Sequence, residues 1–120
     1  MAKIYIAGPM SGYPEFNFPA FFAAAEYAKT LGFDTVFNPA SKDNEANVTA
    51  DASFSTGDDQ KLMQSGWDFR AAYLWDVTKV IEADAIYMLP GWEKSAGARG
   101  EHAVAISIQA RYPEYEIIYA

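Results

Sequence analysis

The chain has 120 residues, 51% of them apolar, and a formal net charge of -7 at pH 7; this suits one compact domain over 1–120 and argues against global disorder. The negative charge argues against a duplex nucleic-acid partner, which needs Lys and Arg against phosphates, but leaves a single nucleotide open as ligand. Cysteine is absent and histidine occurs once, which excludes disulfides, thiolate chemistry and Cys-based zinc and leaves no metal expected.

The amino terminus, Met1-Ala2-Lys3-Ile4-Tyr5, enters a strand pattern directly and does not read as a signal peptide. No apolar run approaches the roughly 20 residues of a membrane helix, so no membrane partner is expected and a cytoplasmic protein is the default. Lys3 to Ala7 reads as the first strand. Gly8-Pro9-Met10-Ser11-Gly12-Tyr13-Pro14 breaks it, and Asn17 is the expected N-cap of a helix whose apolar residues run from Phe18 to Leu31, ended by Gly32. Phe33 to Phe37 is the second strand, closed by Asn38-Pro39-Ala40-Ser41. Residues 42–66 are polar and poorly periodic, and read as a long mobile flap beside a site, with a short helix near Gln60 to Gln64. Trp67 to Glu82 is helical, with Phe69, Tyr73, Leu74, Val77, Val80 and Ile81 on one broad face. Asp84 to Leu89 is the third strand. Ser95 caps a helix running to about Ala110, and Glu116 to Tyr119 is the last strand. Alternating strands and helices indicate an α/β fold, a small parallel sheet covered on both faces.

Two acids flank the third strand. Glu101 shares its helix face with Gly97, Ala98, Val104, Ala105 and Ile108, so it lies on the packing side, where a carboxylate needs partners or a purpose. Its ordinary explanation is pairing with Arg99 or Lys94. Asp76 lies at the margin of its helix's apolar arc, where pairing with Lys79 or Arg70 would suffice. Together they can meet over the carboxyl end of the sheet, where open α/β folds bind small ligands. Tyr5 lies in the first strand, near its end, and is either core or aimed at a ligand carboxylate. Gly8, Ser11 and Gly12 offer backbone N–H groups to an anion or sugar, without the spacing of a dinucleotide fingerprint. Trp92 either stacks on a base or covers the core. Ser95 has capping as its ordinary role, and His102 points away from Glu101 toward a surface or interface.

The segments I-Y-I-A-G-P-M-S-G, D-x-x-x-x-x-x-A-D and S-A-G-A-R-G-E-H-A, in this order, resemble the nucleoside 2-deoxyribosyltransferase superfamily. That group contains nucleoside deoxyribosyltransferases, 2′-deoxynucleoside 5′-monophosphate N-glycosidases and small bacterial and phage proteins, the last being the most similar. The resemblance covers the first strand and turn and most of Tyr73 to Ala105, but not the flap. It implies a flavodoxin-like sheet of order 2-1-3-4 and chemistry at the bond between sugar and base. It further implies Glu101 as nucleophile, Asp76 as acid/base and Tyr5 as the group orienting the nucleophile. Gly8, Pro9, Met10, Ser11, Gly12, Trp92, Ser95 and Gly97 would line the substrate site. The implied ligand is a nucleoside or nucleotide, with no cofactor, in a homodimer or higher homo-oligomer. Pro9 and Ser11 stand where the glycosidase branch has a serine and an arginine for the 5′-phosphate. No asparagine follows Asn47, although the transferase branch uses one near its carboxyl terminus. The resemblance therefore favours a hydrolase over a transferase, with non-catalytic binding of a nucleotide or nucleotide-derived signal as the alternative.

Overall fold

The computed structural model describes residues 2–45 and 47–120. Four strands, β1 (Lys3–Ala7), β2 (Thr35–Phe37), β3 (Ala85–Met88) and β4 (Glu116–Tyr119), form one all-parallel sheet of order β2-β1-β3-β4. Five helices connect them: α1 (Phe18–Thr30), α2 (Pro39–Glu45), α3 (Asp59–Gln64), α4 (Phe69–Glu82) and α5 (Ala96–Gln109). This is a flavodoxin-like α/β fold with the expected strand order.

The period-2 alternation of the two central strands decides which side chains meet which helices. Ile4, Ile6, Ala85, Tyr87 and Leu89 face one core with Phe18, Phe21, Ala24 and Ala28 of α1, Ala40 of α2 and Leu62 of α3. Tyr5, Ala7, Ile86 and Met88 face the other, with Val80 of α4, Ala105 of α5 and Tyr115. Both faces of β1 and β3 are thus dry, as a parallel sheet requires. Each fully buried aliphatic side chain contributes roughly 1.5–3 kcal/mol.

Several local expectations are refined or corrected. Asn17 holds the N-cap position of α1 as expected but makes no side-chain capping bond; it is left-handed at φ 61°, and its Nδ2 donates to the Pro9 carbonyl at 3.0 Å. Asn38-Pro39-Ala40-Ser41 closes β2 as expected, and does so by starting a helix. Asn38 Oδ1 accepts from the Ala40 N–H at 2.9 Å and Pro39 opens α2, because proline suits a helix's first turn and asparagine the position before it. α4 begins at Phe69 rather than Trp67, since Asp68 Oδ1 accepts from the Ala71 N–H at 3.1 Å. Of the apolar arc on α4 only Val80 is fully buried; Leu74 and Ile81 are exposed.

The segment expected as an irregular flap is mostly folded. It contains the end of α2, a 3-10 turn at Val48–Ala50, and α3, which covers the expected Gln60–Gln64 helix. Val48 and Leu62 enter the core, and the buried Ser53 is held by Asp51 Oδ1 through its N–H (2.9 Å) and hydroxyl (2.7 Å). Ala46, within this segment, and Met1 lie outside the described residues. Among the described residues no helix is long and apolar enough to cross a membrane.

Candidate active site

In this strand order the chain leaves β1 toward β2 on one side and returns to β3 on the other. The crevice at the carboxyl ends of β1 and β3 is therefore the topological switch point where ligands bind. A cavity of about 330 Å³ lies there, within the range of small-molecule sites. β1 delivers Tyr5 and the following turn delivers Gly8, Pro9, Met10 and Ser11. The middle of α4 delivers Tyr73 and Asp76, and the start of α5 delivers Gly97, Ala98 and Glu101. Phe16, Phe21, Trp67 and Phe69 add an aromatic wall, with Phe69 stacked on Tyr73 at 5.6 Å between ring centroids.

Tyr5, Asp76 and Glu101 are brought together as expected. The Tyr5 hydroxyl, fully buried, donates to Glu101 Oε2 at 3.2 Å, and Asp76 lines the same cavity. Burial pushes Glu101 well above the usual carboxylate range; the Asp76 charge adds to this and the Tyr5 hydrogen bond opposes it. Burial likewise pushes Asp76 up to about 8, helped by Asp43 and opposed by Tyr5. The Tyr5 hydroxyl is itself raised by burial and by both acids. The hydroxyl has one proton to give. Donating it to one carboxylate leaves its oxygen free to accept from the other acid in protonated form.

Sequence reasoning missed Asp43. It is 9% exposed, lines the cavity from α2, and is pushed up to about 7 by burial, with Lys42 pulling the other way. Its signal was hidden because α2 reads as polar turn and flap. It also missed Tyr73, whose hydroxyl donates to the Gly97 carbonyl at 2.9 Å. That contact explains the small residues ahead of Glu101: a Cβ on Gly100 would collide with the Tyr73 hydroxyl. The small stretch therefore seats an aromatic ring as well as bordering the cavity.

Two expected site residues are not in the cavity. Trp92 stacks on His102 at 4.2 Å between centroids, in a separate surface hollow with Tyr119. His102 Nε2 lies 2.8 Å from the Tyr119 hydroxyl, so it stays at the surface as expected. Gly12 offers no free N–H, because at φ 82° it donates to the Gly57 carbonyl at 2.7 Å. Ser95 lines the cavity and also caps α5, its Oγ accepting from the Ala98 N–H at 3.2 Å. Among the described residues no group of three or more Asp, Glu or His side chains is placed to hold a metal ion.

No curated protein and no solved structure matches the chain. A family model described as a domain of unknown function, DUF4406, matches residues 2–112. That span takes in Tyr5, both acid-bearing helices and the cavity between them, so this chain belongs to the DUF4406 family.

Proposed function

We propose that the protein cleaves the N-glycosidic bond of a nucleoside or nucleoside 5′-monophosphate by hydrolysis. The observation that carries this reading is the Tyr5 hydrogen bond to Glu101 at 3.2 Å, in a cavity that Asp76 and an aromatic wall also line. The resemblance to nucleoside 2-deoxyribosyltransferases, which assigns these three residues the same roles, supports it.

Departure of the base leaves an oxocarbenium-like sugar, which a carboxylate can trap as in retaining glycosidases. The working form of the acid pair holds one proton. In the form that reacts, the charge sits on Glu101, where Tyr5 donates, and the proton on Asp76; in the free protein Asp76 ionises first and Glu101 keeps the proton, so a proton shift from Glu101 to Asp76 precedes attack. Glu101 attacks C1′ as the C1′–N bond breaks, and Asp76 gives its proton to the departing base. Water then attacks C1′, Asp76 takes a proton from it, and Glu101 leaves as a carboxylate. Pairs of acids pushed apart in protonation by environment commonly divide roles in this way. The exposed mouth at Ser11 and Lys94 favours access of water over a second base. Exposed Leu74 and Ile81 on α4 support the proposed homo-oligomer.

Incubation with a panel of nucleosides and monophosphates, followed by chromatography, should show free base. Asp76→Asn should lose about 100- to 10,000-fold in rate, and Glu101→Gln at least as much. Unchanged base release by Glu101→Gln would remove it from the mechanism. Tight binding with no free base after long incubation would assign the cavity to binding alone.

A further inference from the structure

We propose that the cavity takes the unphosphorylated nucleoside and that Asp59, at its mouth, excludes the 5′-monophosphate; this rests on the glycosidic-bond reading above. A phosphate site presents unoccupied N–H groups and hydroxyls. Three such groups in the turn after β1 are already engaged. Proline has no N–H, so Pro9 offers none. The Gly12 N–H donates to the Gly57 carbonyl at 2.7 Å and the Tyr13 N–H to the Met10 carbonyl at 3.1 Å. The Ser11 hydroxyl donates to Asp59 Oδ2 at 3.0 Å.

That rim also presents a carboxylate to a ligand. A carboxylate accepts hydrogen bonds and repels a phosphate dianion, whereas a neutral sugar hydroxyl can donate to it. Like charges placed face to face are strongly selected against in recognition. Asp59 is half-buried and comes from α3; Lys94 is the one Lys or Arg lining the cavity among the described residues. Asp43, Asp76 and Glu101 lie deeper in the same cavity, and the chain as a whole carries -7. The acidic groups outnumber the basic one wherever a phosphate would enter.

The test measures kcat/KM for the common nucleosides, ribo and 2′-deoxy, each against its own 5′-monophosphate. The nucleoside should be preferred by about 100-fold or more. Asp59→Asn and Asp59→Ser should each narrow that ratio at least about tenfold, through the KM of the monophosphate. Preference for the monophosphate by the unaltered protein overturns the proposal, as does an unchanged ratio in both variants. Monophosphate turnover that is lost in Lys94→Gln also overturns it, since Lys94 would then hold the phosphate. If no compound is cleaved, the glycosidic reading fails by itself. Calorimetric titration with the same pairs then decides the charge selection: binding of the nucleoside with rejection of the monophosphate supports it, and any other result overturns it.

Discussion

Asp43 and Asp76 do not titrate independently. Asp43, held near 7, loses its proton first and is charged when Asp76 titrates near 8, so it raises Asp76 rather than the reverse. Glu101, deeper still, then feels the Asp76 charge. In the proposed reaction the pair must hold one proton, which gives a bell-shaped dependence of rate on pH. Removing the Asp43 charge makes ionisation of Asp76 easier. Asp43→Asn should therefore move the acid limb of the bell, set by Asp76, toward lower pH, as read from kcat/KM between pH 5 and 10. A bell that stays in place would separate Asp43 from the pair. The acids on α4 and α5 were legible in the sequence because helical spacing put Glu101 on an apolar face. Asp43 was not, because its burial is imposed by α1 and β1 and leaves no local pattern.

At the scale of elements, the 42–66 segment holds the mouth of the cavity in place. One of its ties to the rest is the Gly12–Gly57 hydrogen bond of 2.7 Å. Gly57 sits at φ 73°, and a Cβ there would collide with the Tyr13 carbonyl. Gly57→Ala should destabilise the protein by about 1–3 kcal/mol in urea unfolding. It should also raise KM by displacing Asp59 and Ser11. Hydrogen exchange should quicken in α3 while β1 and β3 stay protected; uniform loss of protection would show that the segment and sheet are one cooperative unit. β1, β4 and α5 were legible because their apolar spacing is regular and Ser95 marks a start. α2 was not, since Pro39 punctuates equally well as a turn or as a helix's first residue. The left-handed run Glu15, Phe16 and Asn17 likewise has no sequence signal; it turns Phe16 into the core and away from the helix pattern that follows.

For the whole molecule, three buried carboxyls have a consequence for stability. Their folded-state values lie above their unfolded ones, so the folded form binds more protons between about pH 4 and pH 8. Stability is then fully present below pH 4 as far as these groups are concerned, and falls as pH rises through about 7 to 8. Thermal unfolding should show Tm decreasing across that window, and Asp43→Asn or Asp76→Asn should flatten the decrease while raising Tm at pH 8. A Tm that rises over the same window would mean the acids are ionised and partnered. Gain of stability on removing a site acid is the usual sign of a site whose strain serves function.

The alternation of strands and helices, the parallel sheet and the two acids flanking β3 were determined by the sequence alone, because each is written in spacings of two to four residues. The tertiary structure alone decided that Asp43 and Asp59 join the cavity, that Gly12 has no N–H to offer and that Trp92 stays outside. Those outcomes depend on contacts between segments far apart in the chain. Ser11 and Asp59 are separated by 48 residues, and Tyr5 and Glu101 by 96. Local periodicity records which side of an element is buried, and chain folding decides what it is buried against.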